Sequence, residues 1–176
     1  EPTSLPQYYP LVHTSFWLEA NLFGLPPAGA SRELANQWAV GYHLVNVTLH
    51  AISAFILFRL GKKLHLPGIL FAALWFLVHP VHVESVAWVT ERKNVLSLLC
   101  YLLAAERWLR WHDDQSNRSY LIGSFWLLGA LWSKTVVASL PAALLIVIWW
   151  RDGKLTKRAT VGAIPWFVVG AALGCF

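Results

Sequence analysis

The sequence predicts an all-α fold, a polytopic bundle of helices that span a membrane. Of the 176 residues, 57% are hydrophobic and only 13% are charged, a balance outside the range of ordinary soluble domains. Eleven tryptophans indicate anchoring at membrane–water interfaces. The net charge of +5 does not indicate nucleic acid, because the basic residues fall in short loops between apolar runs. The lipid bilayer is therefore the first predicted partner, and nucleic acid is excluded.

The chain divides into an outer-side segment, residues 1–37, and a transmembrane bundle of five to six membrane segments, residues 38–176. Within the outer-side segment, residues 13–24 carry apolar side chains at helical spacing: Phe16, Trp17, Ala20 and Phe23. This pattern predicts a short amphipathic helix that lies along the outer membrane interface.

The helices of the bundle follow the apolar runs: 38–60, 66–79, 95–111, 120–132, 136–150 and 160–176. The second and fourth are too short to cross alone, because a helix rises about 1.5 Å per residue and the hydrocarbon is about 30 Å thick. Their outer parts must therefore continue through polar residues near 79–89 and 133–135. Irregular backbone at membrane depth is tolerated only where it is buried in protein or lines a watery cavity. We expect a depression that opens to the outer side.

The basic loops predict the orientation. Most of the cations lie near 61–65, 112–119 and 151–158, so the positive-inside rule places these loops on the cytoplasmic side. Residues 1–37 and 79–94 then face the outer side. Tryptophans at the cytoplasmic ends of the segments fit an aromatic belt: Trp108, Trp111, Trp149 and Trp150.

A polar stripe marks the first span. His43, Asn46, His50 and Ser53 fall at i, i+3, i+7 and i+10, which places them on one face of a helix. We predict interhelical hydrogen bonds inside the bundle. A metal site on this face is disfavoured because no carboxylate shares it.

The stretch His79-x-x-His82-x-Glu84 has the residue types of a metal site, and a divalent metal ion is one possible cofactor. It lacks the HExxH order that would make the assignment specific. Structural capping and the lining of a cavity are the alternatives.

Cations follow at the start of the third span and before the fifth. Arg92 and Lys93 begin a helix, where free N–H groups and the dipole favour an anion, so they are candidate phosphate ligands. A solvated interfacial cluster is the alternative. Lys134 requires an anionic partner, either Glu84, Glu91 or a ligand phosphate. We expect seven residues to line one outward cavity: His79, His82, Glu84, Arg92, Lys93, Asn94 and Lys134.

Four blocks of sequence carry a family likeness: "QYYPLVHTSFWLEANLFGLPPAG", "GYHLVNVTLH", "HPVHVESVAWVTERKN" and "SKTVVASLPAALLIVIWW". Together they resemble bacterial membrane proteins related to the transmembrane and tetratricopeptide-repeat-containing O-mannosyltransferases, over about residues 7–172. The resemblance implies part of a GT-C fold module in a bacterial inner membrane, with residues 1–37 and 79–94 in the periplasm. It also implies transfer of a sugar from a polyprenyl-phosphate donor at the outer leaflet to an acceptor protein or other hydroxyl. Cationic residues would hold the donor phosphate: Arg92, Lys93 and Lys134.

The chain departs from the family pattern. The usual "ERKD" ends in Asn94, and the usual Lys-Pro pair reads Lys134-Thr135. The family's first span and its acidic motif should lie before residue 1, so the expected catalytic carboxylate is outside this chain. Glu84 and Glu91 are the remaining candidates. We expect a partial enzyme module. The alternative is a non-catalytic membrane subunit that packs in a larger membrane complex with other subunits.

Overall fold

The computed structural model describes residues 9–174, with the exception of 26 and 28. These residues form eight α-helices and no strand, which confirms the predicted all-α fold. The helices are α1 (Pro10–Phe23), α2 (Arg32–Lys63), α3 (Ile69–Val78), α4 (Val83–Ala87), α5 (Arg92–Asp114), α6 (Asn117–Leu131), α7 (Leu140–Asp152) and α8 (Lys157–Gly174). The predicted outer helix is α1, and its position along a membrane interface stays a prediction.

Two helical stretches are long and apolar enough to cross a membrane, Arg32–Lys63 and Thr135–Asp152. The second consists of a 3-10 stretch, Thr135–Ser139, followed by α7. A third candidate is Ile69–Val78 together with Pro80–Ala87, which is bent by 46° and is either a broken span or a re-entrant loop. The other predicted crossings do not meet this criterion, so the total of five to six membrane segments stays a prediction.

The bend lies where the sequence predicted a polar interruption. His79 has an extended backbone, with φ −67° and ψ 129°, as expected for a residue that precedes proline. Pro80 then opens a 3-10 turn, Pro80–His82, and its ring removes one helical N–H donor. The second interruption, between α6 and α7, is also confirmed, because Lys134 has an extended backbone there.

Helix α5 lies at the centre of the bundle, packed against α2 and α6. The C-terminal half of α5 carries Trp108 and Trp111, which are 0% and 6% exposed. The Trp108 ring lies 4.6 Å from that of Trp166 on α8, and the Trp111 ring 5.0 Å from that of Tyr120 on α6. The aromatic-belt prediction is therefore wrong for Trp108 and Trp111, because both face neighbouring helices and form the core.

The three basic loops meet at one end of the bundle. The carboxylate of Asp113, at the end of α5, accepts from Lys63 Nζ at 2.9 Å and from Arg151 Nη2 at 2.8 Å. His112 Nε2 lies 2.9 Å from Asp152 Oδ2, and Arg158 Nη2 donates to the Gln115 carbonyl at 3.0 Å. The prediction that these loops share a side is confirmed by these contacts. Their cytoplasmic location stays a prediction.

Candidate functional site

The polar stripe on α2 faces the bundle, as predicted. Asn46 is fully buried, and its Nδ2 donates to the carbonyls of Val86 at 3.2 Å and Trp88 at 3.1 Å. These carbonyls lie where α4 ends. The Trp88 carbonyl also accepts from the Glu91 amide at 3.1 Å, so the Asn46 amide adds a second bond there and ties the end of α4 to α2. His50 Nε2 lies 3.2 Å from the Leu77 carbonyl near the end of α3. Ser53 bonds only within its own helix, to the Leu49 carbonyl.

Arg92, the first residue of α5, is fully buried and holds three helices together. Its Nη1 and Nη2 donate to the two carboxylate oxygens of Glu19 on α1, the second at 2.9 Å. Its Nε donates to Asn46 Oδ1, and Nη2 also reaches the Tyr42 carbonyl at 3.1 Å. The guanidinium carbon lies 5.1 Å from the Phe16 ring centre. The guanidinium therefore already holds an anion, the Glu19 carboxylate.

Lys134 belongs to a separate chain of polar contacts. Its Nζ donates to Asn94 Oδ1 at 2.8 Å. Asn94 Nδ2 donates in turn to Glu91 Oε2 at 2.7 Å and to Ser85 Oγ at 3.2 Å. Lys93 Nζ lies 3.4 Å from Glu91 Oε1. Of the anionic partners predicted for Lys134, Glu91 is thus the one nearby, although Asn94 stands between the two side chains.

Lys134, Asn94 and Ser85 line a cavity of about 460 Å³, which we call the Lys134 pocket. Its lining is rich in hydroxyl groups and consists of Ser85, Asn94, Ser97, Leu98, Tyr101, Lys134, Val136, Val137 and Ser139. Hydroxyl and ammonium groups donate hydrogen bonds, and the lining contains no carboxylate. The pocket therefore suits a ligand with several negatively charged acceptors, such as a phosphate.

The histidines line a different cavity, the histidine groove, of about 770 Å³. His43, His50, His79 and His82 all lie on its mostly apolar wall. The ring centres of His50 and His82 are 5.2 Å apart. His79 Nδ1 accepts from the Val81 amide at 3.2 Å and so caps the 3-10 turn, which confirms the capping alternative for His79.

A metal site at His79, His82 and Glu84 receives no support. The His79 and His82 ring centres are 6.2 Å apart with an interplanar angle of 68°, and Glu84 is exposed. Among the described residues, no group of three or more His, Cys, Asp or Glu side chains is placed to hold a metal ion.

The single outward cavity expected from the sequence is thus divided into three places. Lys134 and Asn94 line the Lys134 pocket, His79 and His82 line the histidine groove, and Arg92 lies in the buried network. The division arises because the bent segment faces two neighbours. His82 packs towards His50 of α2, whereas Ser85 bonds Asn94 of α5.

Sequence reasoning missed Glu19 and the hydroxyl groups of the pocket: Ser85, Ser97, Tyr101 and Ser139. Glu19 carried a usable signal, because it is the only acidic residue in α1. An isolated carboxylate on an apolar helix is buried only with a partner. The serines and the tyrosine carried no such signal, since hydroxyl residues are common on bundle helices.

Comparison with known proteins shows that the chain is similar in sequence to protein O-mannosyl-transferases. Tmtc1 of Drosophila melanogaster is 40% identical over 84 residues, 46% of this chain and 9% of the relative. Tmtc2 of Drosophila melanogaster is 32% identical over 128 residues, 67% of this chain and 14% of the relative. The tmtc2 protein of Xenopus laevis is 35% identical over 133 residues, 70% of this chain and 13% of the relative.

No family model and no solved structure matches the chain. The chain spans between 9% and 14% of the length of these three curated relatives. All three come from eukaryotes, so the bacterial source expected from the motifs stays a prediction. The comparisons support the predicted relationship, and the chain is related to the protein O-mannosyl-transferases.

Proposed function

We propose that the chain is part of the membrane module of a glycosyltransferase. It takes a sugar from a polyprenyl-phosphate donor at the outer leaflet and transfers it to a hydroxyl group of a protein or other acceptor. We place it in a bacterial inner membrane, with the loops near 61–65, 112–119 and 151–158 in the cytoplasm. Residues 1–37 and 79–94 face the periplasm.

The observation that carries this proposal is the position of Lys134. Its ammonium group is half-buried at the Lys134 pocket, and no carboxylate of the described residues lies within 4.0 Å of it. A buried cation is stabilised by a negative partner. The phosphate of a lipid-linked sugar supplies that charge, and the hydroxyl groups around it bond the remaining oxygens.

The three candidate phosphate ligands take different roles. Lys134 contacts the phosphate. Lys93, whose side chain is 31% exposed, acts indirectly, because it pairs with the Glu91 carboxylate and so leaves the charge of Lys134 for the phosphate. Arg92 acts at a distance, because its guanidinium is saturated by Glu19, Asn46 and the Tyr42 carbonyl. It fixes the start of α5, and so the position of Lys93 and Asn94.

Sugar transfer makes a bond from the acceptor oxygen to the anomeric carbon and breaks the bond from that carbon to the phosphate oxygen. Lys134 stabilises the negative charge that develops on the departing phosphate. The acceptor proton passes to a general base. Of the two candidates, Glu91 accepts from Asn94 Nδ2 through Oε2 and lies 3.4 Å from Lys93 Nζ through Oε1, so both of its carboxylate oxygens already have partners. Glu84 is exposed and is therefore the more accessible of the two carboxylates.

Binding of a short-chain polyprenyl monophosphate to the detergent-solubilised protein tests the proposal. Lys134→Ala should weaken binding by about 10- to 100-fold, the loss expected for one charge-assisted contact. Lys134→Arg should restore binding only in part, because a guanidinium fork differs in shape from an ammonium. Lys154→Ala removes an exposed lysine of the loop between α7 and α8 and should leave the affinity unchanged.

Unchanged affinity in a folded Lys134→Ala variant would remove Lys134 from the donor site. A wild-type protein that does not bind the probe would favour the alternative function, a non-catalytic membrane subunit.

A further inference from the structure

Asn94 orients Lys134 without neutralising it. The two N–H groups of its amide are committed, because Nδ2 donates to the Glu91 carboxylate at 2.7 Å and to Ser85 Oγ at 3.2 Å. A carboxylate can only accept hydrogen bonds, so Glu91 fixes which end of the amide is the nitrogen. The amide oxygen is thereby turned towards Lys134 Nζ, 2.8 Å away.

The charges around Asn94 do not cancel. The negative charge of Glu91 is matched by Lys93, whose Nζ lies 3.4 Å from Oε1. Lys134 contributes a second positive charge, and its hydrogen-bond partner is a neutral amide. This part of the protein therefore retains one net positive charge. That charge is on Lys134, in the wall of a pocket whose lining has no carboxylate.

We infer that Asn94 is a specificity-determining positioning residue, which makes the Lys134 pocket selective for a phosphate group. The inference rests on the proposed function and deepens it. A neutral amide at this position holds the ammonium in place and leaves its charge available to a ligand oxyanion. An aspartate at the same position would pair with Lys134, and a phosphate would then have to compete with that carboxylate.

Substitution of Asn94 alone would confuse two effects, because an aspartate would also face the Glu91 carboxylate. The test therefore compares Glu91→Gln with the double variant Glu91→Gln, Asn94→Asp. These two proteins differ only at position 94. The double variant also keeps the net charge of the wild type, since one carboxylate replaces the other. The third protein, Glu91→Gln with Asn94→Ala, is called the alanine variant; it removes the amide in a background that has no carboxylate at position 91 to pair with Lys134.

The probes are a short-chain polyprenyl monophosphate, the corresponding neutral polyprenol and inorganic phosphate, each measured against protein in detergent. We expect the double variant to bind the monophosphate about tenfold more weakly than Glu91→Gln, with no change for the polyprenol. The alanine variant should stay within about threefold of Glu91→Gln. Thermal unfolding of each variant reports that the fold is intact.

Equal affinity of Glu91→Gln and the folded double variant for the monophosphate would overturn the inference. So would an alanine variant that loses as much affinity as the double variant, because orientation alone would then explain Asn94. A separate result tests the proposed donor. A wild type that binds inorganic phosphate but not polyprenyl monophosphate would refute the lipid-linked donor, and the same variants measured with inorganic phosphate would still decide the role of Asn94.

Discussion

The guanidinium of Arg92 and the carboxylate of Glu19 form a two-point ion pair between α5 and α1, and the two residues are 0% and 5% exposed. They are separated by 73 positions in the chain. Such a pair does not imply high stability by itself, because both charges lose water. Removal of one partner, however, leaves the other charge buried without compensation.

We therefore expect Glu19→Gln to lower the free energy of unfolding by about 3–5 kcal/mol and to release α1 from the bundle. Glu33→Gln, at an exposed carboxylate in the first turn of α2, should cost less than about 1 kcal/mol. Thermal unfolding in detergent compares the two, and limited proteolysis near residues 24–31 reports the release of α1. Equal stability of the two variants would show that the ion pair is not formed.

A second prediction concerns the close approach of α8 to α5. A Cβ on Gly162 would overlap the Trp111 ring, and the Gly162 carbonyl accepts from Tyr120 Oη at 2.9 Å. Because Trp111 is itself packed in the core, Gly162→Ala should cost about 1–3 kcal/mol of stability.

The matched control is Gly129→Ala in α6. There a Cβ would lie 3.4 Å from Cys100 Sγ and 3.5 Å from Leu11 Cδ2, which are ordinary contacts. This variant should be neutral or more stable by up to about 1 kcal/mol, since alanine favours helices. Thermal unfolding of both proteins checks the contrast. A stable Gly162→Ala protein would contradict the packing of α8 on Trp111.

A third prediction follows from Asp113. Partial burial raises the pKa of its carboxyl group, but hydrogen bonds and charge from Lys63 and Arg151 outweigh that effect and hold the pKa below its ordinary value. A lowered pKa in the folded state gives stability that is present above the unfolded pKa, near about 3.9. That stability is lost as the pH falls through the folded value.

At pH 7, Asp113→Asn should therefore be less stable than the wild type by about 0.5–1 kcal/mol, a small effect because the side chain is 32% exposed. The difference should shrink as the pH falls below about 3.9 and vanish below the folded pKa of Asp113. Asp114→Asn, at the exposed neighbouring carboxylate, should match the wild type throughout. Denaturation in detergent at several pH values tests this. A difference between Asp113→Asn and the wild type that grows on acidification would refute it.

The fourth prediction is topological. Lys62, at the end of α2, and Lys134, between α6 and α7, should lie on opposite sides of the membrane. Single cysteines at these two positions, in a protein with Cys100 and Cys175 replaced, should react with an impermeant thiol reagent from opposite sides of sealed vesicles. Labelling of both from the same side would refute the proposed orientation.

Local sequence signals predicted much of the fold. The apolar runs gave the helices, the short second run with polar residues near 79–89 gave the position of the bend, and the spacing of Asn46 and His50 gave the buried face of α2. Partnerships between distant residues could not be predicted in the same way. Arg92 has the local signature of a phosphate ligand, and only the packing of α1 reveals that it binds Glu19 instead.

The candidate site could likewise be predicted only in part from the sequence. Proximity in sequence suggested that His82 and Asn94 share a cavity, but the 46° bend and the two faces of the segment separate them. Trp108 and Trp111 likewise have an interfacial signature and a core position. In each case the deciding information is the direction in which a helix presents its side chains to a neighbour, which periodicity alone does not specify.

The contacts of Arg92 also bear on how the chain is assembled during synthesis. A polypeptide leaves the ribosome with its N-terminus first, and an arginine without a partner inserts poorly into lipid. Glu19, Tyr42 and Asn46 all precede Arg92 in the chain, so each of its hydrogen-bonding partners has already been translated when Arg92 emerges. Where α5 enters the bilayer as predicted, it meets a surface on α1 and α2 that already receives its charge, and these two helices would then act as an internal template for its insertion.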